Sequence, residues 1–135
     1  MRRIGLALFG GLLVCGLFTS KSDALPDFKK AFEEKYVKPA NDPQFTKLVK
    51  TTNCNVCHVK GEEKTVRNAY GEALEKLVNG NAKQRLDAAK KAGAEAAEKA
   101  KLMNEFDAAL TKTEADKSAG GVTYGELLKQ HKLPE

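Results

Sequence analysis

Residues 54–58 read Cys54-Asn55-Val56-Cys57-His58, two thiols three positions apart with an imidazole directly after the second. Four chemistries use two thiols at this spacing: thioether bonds to a tetrapyrrole, a dithiol redox pair, part of a zinc site, or a plain disulfide. The compartment and the pattern of the flanking sequence separate them.

Toward the N-terminus, Arg2 and Arg3 precede an apolar run from Ile4 to Phe18, and a short polar stretch then ends in Ser22-Asp23-Ala24. Charge, apolar core and small residue in that order are the pattern of a cleaved secretory signal, which assigns residues 1–24 to a leader and the rest to the periplasm or an equivalent exterior compartment. The apolar run is 15 residues long, whereas a membrane-spanning helix needs about 20. Cys15 follows Leu12-Leu13-Val14 rather than the small residue a lipid-anchored cysteine would want, and it leaves with the signal.

Residues 25–135 then form a 111-residue chain with 20 basic and 17 acidic side chains. That length suits one domain and one core. So mild an excess of charge does not point to nucleic acid, and no membrane span is expected after cleavage.

An exported chain normally uses its cysteines in pairs, and this one keeps two, both in the motif. A thioredoxin-like pair wants alternating strands and helices around it, which the flanks do not offer. A structural zinc site needs four ligands, and only Cys54, Cys57, His58 and the distant His131 are present. A plain disulfide would leave His58 without a role. The motif therefore reads as covalent haem attachment: two thiols on one turn reach the two vinyl groups, and the adjoining histidine is carried under the iron.

The flanks read as helices, with no convincing strand. Phe28, Ala31, Phe32 and Tyr36 form an apolar stripe after Pro26, and Lys38-Pro39 is expected to end that helix. A second helix opens at Asp42-Pro43, cap then proline, with Phe45, Leu48 and Val49 on one face, and delivers the chain to Cys54. A third is expected from about Thr65 to Asn79, stopping at Gly80.

Residues 81–112 are rich in alanine, lysine and glutamate. Ala82, Leu86, Ala89, Gly93, Ala96, Ala100 and Met103 follow at steps of three and four, a small-residue stripe about 32 Å long if the helix is unbroken. The same composition equally describes a solvated helix interrupted at Gly93. After Gly120-Gly121, Thr123 and Glu126 form a capping box, with Val122 and Leu127 placed as a staple, and Tyr124, Leu127 and Leu128 share a face. Tyr70-Gly71-Glu72-Ala73-Leu74 and Tyr124-Gly125-Glu126-Leu127-Leu128 match at four of five places. Either a shared packing role for the glycines or chance accounts for that echo.

On these residues the chain resembles a small monohaem cytochrome c, in its export signal, its helix leading into the motif, the motif itself and the closing amphipathic helix. The resemblance implies an all-α fold wrapped around one covalent haem c, and electron transfer rather than enzymatic catalysis. It implies a haem edge exposed to redox partner proteins. Lys47, Lys50, Lys60 and Lys64 cluster around the motif, either as a basic rim that steers docking to an acidic partner or as an ordinary lysine-rich surface diluted by Glu62 and Glu63. The Gly-Pro-x-Leu segment usual in that family, whose proline carbonyl orients the axial histidine, is missing: residues 64–71 contain no proline. Some other carbonyl must accept the free N–H of His58. Arg67, Asn68 and Tyr70 are candidate partners of a haem propionate, Arg67 foremost because a guanidinium grips a carboxylate bidentately; solvated or core positions are their other reading.

The sixth iron ligand divides the functions. Met103 is the one methionine outside the signal and would give a His/Met iron suited to an electron carrier. His131 is the alternative, though an exposed histidine is the plain expectation there. With neither, the iron is open, and the chain would bind a small gas or act on peroxide. A haem subunit of a larger exported oxidoreductase is a further alternative.

Overall fold

The computed structural model describes residues 26–134; the signal expected over residues 1–24 lies outside them. The described residues are all-α: α1 (Pro26–Phe32), α2 (Lys38–Ala40), α3 (Pro43–Thr52), α4 (Ala69–Leu77), α5 (Ala82–Lys91), α6 (Glu95–Thr113) and α7 (Tyr124–Lys129). The only β-type pairings among them are two isolated bridges, His58 with Arg67 and Lys117 with Thr123. No helix among them is long and apolar enough to cross a membrane.

The first helix does not end at Lys38-Pro39. A π-helical turn, Glu33–Val37, joins α1 to α2, and the Lys38 N–H reaches back to the Glu33 carbonyl. Proline in a regular helix would lack an N–H and crowd the carbonyl four residues back; the wider turn takes up that misfit, and the chain turns out only at Asn41, left-handed at φ 48°.

α3 begins where Asp42 and Pro43 predict, with the Asp42 carboxylate accepting from the amides of Gln44 (2.7 Å) and Phe45 (3.2 Å). Phe45 and Val49 are buried, but Leu48 is 42% exposed and lies off the core face. α7 carries both legs of its capping box, Glu126 N–H to the Thr123 hydroxyl and Thr123 N–H to the Glu126 carboxylate.

The alanine-rich segment is two helices. Gly93 takes φ 71° between α5 and α6, so the 32 Å stripe is not continuous. The face of α6 that packs inward carries Leu102, Phe106, Ala109, Leu110 and Thr113, one register away from Ala96, Ala100 and Met103. Arg85 ties the pair together, donating to Glu98 (2.6 Å), to both oxygens of Glu105 (2.7 and 3.0 Å) and to the Asn79 carbonyl (2.6 Å).

α6 packs against α1, α4 and α5. One apolar cluster joins Phe32 and Val37, Phe45 and Val49, Val56, Tyr70 and Leu74, Phe106 and Leu110, and Tyr124 and Leu128. Val56, inside the motif, is thus a core residue, and its burial pins residues 54–58 against the body of the protein.

Candidate functional site

α3 runs directly into the motif. Asn53 turns the chain at φ 52° into a 3₁₀ turn, Asn53–Val56, and the Cys54 carbonyl accepts from the amides of both Cys57 and His58, each at 3.2 Å. Those two bonds put the thiols on one turn and the imidazole at its exit. Both cysteines are free thiols.

After His58 the chain makes a short excursion and returns. Val59 N–H bonds the Val66 carbonyl (3.2 Å), and His58 and Arg67 pair across the two limbs. Residues 65–67, expected as the first turn of the third helix, are the returning limb instead; the helix starts only at Ala69.

Asn68 caps that helix, its side-chain oxygen accepting from the Gly71 amide (2.9 Å). Gly71 lies so close to the motif that a Cβ there would stand 2.0 Å from the Cys57 carbonyl oxygen. Gly125 does the same more loosely, its Cβ position 3.0 Å from the Glu114 carbonyl oxygen and Cβ. The two Tyr-Gly-Glu segments thus share a packing role: each starts a helix whose glycine rests on a preceding backbone.

Cys54, Cys57 and His58 line one cleft of about 160 Å³. Its apolar wall includes Phe28 and Phe32 of α1, Val49 of α3, Leu74 of α4 with Val78 at its end, and Phe106 of α6, and Lys29, Lys64, Arg67, Lys83 and Glu75 supply charge. Phe28 and Phe106 stack with centroids 4.2 Å apart and planes 9° from parallel. The cleft is smaller than the roughly 300–1,000 Å³ of pockets that enclose a small organic ligand.

Burial pushes the Cys57 thiol up to about 12, with Arg67 pulling the other way and Cys54 adding to the rise. A thiol so held is protonated at neutral pH and is a poor nucleophile for disulfide exchange. Burial also lowers the His58 imidazole from its ordinary value; the Val66 carbonyl works against that, and the Arg67 and Lys64 charges work with it. The ring is therefore neutral at pH 7, the form that ligates a metal. Its Nδ1 is buried and makes no hydrogen bond of good geometry, the Val66 carbonyl being the backbone acceptor that bears on the ring.

The remaining sequence candidates divide. Arg67 lines the cleft, with its guanidinium on Glu75 (3.0 Å). Tyr70 is 1% exposed and sits on the core side of α4, outside the cleft wall. Met103 is half-buried on α6 and is not among the lining residues, whereas Phe106, three residues on, is. His131 lies elsewhere: its Nδ1–H donates to the Asp42 carboxylate (2.7 Å) and its ring stacks on Phe45 at 5.5 Å. It is a structural tie between the C-terminal segment and α3 rather than an exposed residue. Of the four rim lysines, Lys64 lines the cleft, while Lys47 and Lys50 line a separate groove beside α2 and α3.

Lys29, Lys83 and the aromatic pair at the cleft were not singled out from sequence, because only the fold brings α1, α5 and α6 to the motif. Compared with protein-family models, with curated proteins and with solved structures, the chain matches none.

Proposed function

We propose that this chain is an exported c-type cytochrome with one covalent haem, working in electron transfer. The observation that carries the reading is that Cys54, Cys57 and a neutral His58 line a single apolar, aromatic cleft. The residues fit the group. The two thiols can each add S–H across a vinyl C=C to form a thioether, His58 would hold the iron, and Arg67 with Lys29 and Lys64 offers cationic partners for propionates.

When bound, the haem supplies a one-electron iron couple, and the protein sets its potential through ligand, burial and hydrogen bonds. The apolar wall lowers the local dielectric, and the partly open cleft leaves an edge for a redox partner protein. Lys64 at that edge favours an acidic partner.

A second reading has one observation in its favour: among the described residues, the cleft wall contains no methionine and no histidine other than His58. An iron lacking a second protein ligand would bind a small gas or react with peroxide.

Absorption spectra of the isolated protein, oxidised and reduced, with carbon monoxide added to the reduced form, test both. Covalent haem bands indifferent to carbon monoxide support the electron carrier, and loss of a weak 695 nm band in Met103→Leu would name the ligand. An immediate shift with carbon monoxide favours the open iron. Absence of haem from the protein matured in an exporting host would sink the proposal.

A further inference from the structure

Three carbonyls of the loop that holds both cysteines and His58 are bonded by a single residue beyond it. The Asn68 backbone N–H donates to the Cys57 carbonyl (3.1 Å), and its side-chain amide donates to the Val56 carbonyl (3.0 Å) and, more weakly, to that of Asn55 (3.4 Å). Three successive carbonyls of the motif therefore converge on one residue. The other end of the same amide, Oδ1, accepts from Gly71 N–H at the start of α4, and the missing Cβ of Gly71 is what allows the helix to come so near.

We infer that Asn68 is the positioning residue of the attachment site: it transfers the rigidity of α4 to the motif and fixes the pitch at which Cys57 and His58 present their side chains to the cleft. The inference rests on the haem reading for its functional meaning, but its structural content does not. An asparagine fits the role as no other short cap does, since serine, threonine and aspartate can accept from the helix N-terminus but lack an amide donor that reaches back. The role also removes Asn68 from the set of propionate partners, because its donors are already engaged.

Two variants of the full-length protein test this. Asn68→Ser keeps a helix cap and the charge while removing the amide; Asn68→Asp keeps the shape and the cap while replacing the donor with an acceptor. Hydrogen exchange followed by mass spectrometry should show residues 54–58 opening about ten-fold more often in both variants, the change expected from losing one good hydrogen bond, with residues 69–77 unchanged. The midpoint potential of the haem should move in both, so that the charge in the aspartate variant is not the cause. Unaltered exchange at 54–58, equal loosening of α4, or an unmoved potential in the serine variant would each overturn the positioning role. Wild-type protein without covalent haem would defeat the functional reading instead, and the exchange comparison would still judge the tie.

Discussion

The rings of Tyr70 and Tyr124 meet edge to face, their centroids 5.0 Å apart and their planes at 68°. Tyr70 is the second residue of α4 and Tyr124 the first of α7, the two helices whose opening residues nearly repeat one another. The contact joins the helix beside the motif to the closing helix of the described chain, and it lies among the most deeply buried atoms of the core.

The Tyr70 hydroxyl is buried and has no hydrogen-bond partner. A polar group left unpaired in the interior costs about 1–3 kcal/mol. Tyr70→Phe keeps the ring and removes the unpaired group, so denaturant unfolding should show it equal to wild type or more stable by about 1 kcal/mol. Tyr70→Ala should lose about 3–5 kcal/mol through the cavity it opens. A clearly destabilised phenylalanine variant would mean that the hydroxyl has a partner.

Gly71→Ala and Gly125→Ala should differ in size of effect. At 71 the new methyl meets a carbonyl at 2.0 Å, backbone against backbone, whereas at 125 the nearest atoms stand at 3.0 Å and one belongs to a side chain. Overpacking of the first kind should cost about 2–3 kcal/mol or more, and the second nearer 1. Equal melting temperatures for the two variants would contradict the close approach of α4 to Cys57.

The Asp42 carboxylate is held below the usual range chiefly by the His131 hydrogen bond and then by the amides of Phe45 and Gln44. As the pH falls, the unfolded chain takes up this proton first, so the stabilisation is complete above the ordinary aspartate value near 3.9 and is lost as the pH drops through the lower folded value. Melting temperature should therefore fall on acidification below about pH 4, and Asp42→Asn should flatten that limb. A slope unchanged in the variant would place the acid sensitivity elsewhere, Glu105 and Glu126 being lowered in the same sense.

Arg85 holds α5 through four hydrogen bonds to three residues, while α5 itself has no fully buried side chain. Arg85→Ala should cost on the order of 1 kcal/mol globally but should make residues 82–91 the first site of limited proteolysis. Unchanged cleavage would show that packing on α6 suffices to hold α5.

Local signals in the sequence carried far. Asp42-Pro43 and Thr123-Glu126 mark their helix starts because capping is settled within four residues of chain, and Gly93 marks a break because a left-handed turn needs no distant partner. What the sequence hid depends on residues far along the chain. Residues 65–67 have helical neighbours but pair with His58 and Val59; Leu48 keeps helical spacing with Phe45 but points away from the core; His131 looks solvated until Asp42, 89 positions earlier, comes beside it. The same holds at the site. The motif is plain in five residues, but the cleft needs α1, α4, α5 and α6 together, and nothing local tells that the amide of Asn68 turns toward the motif rather than outward.

The chain has no tryptophan and three tyrosines. Tyr36 packs on Phe32 at 5.2 Å, Phe32 on Tyr70 at 6.3 Å and Tyr70 on Tyr124 at 5.0 Å, so all three belong to one aromatic patch. The intrinsic ultraviolet emission and near-ultraviolet dichroism from tyrosine therefore arise at a single place in the fold. In the haem-free protein, a melt followed by tyrosine emission therefore reads the joint between α1, α4 and α7, which makes that signal a direct report on the part of the core that backs the motif.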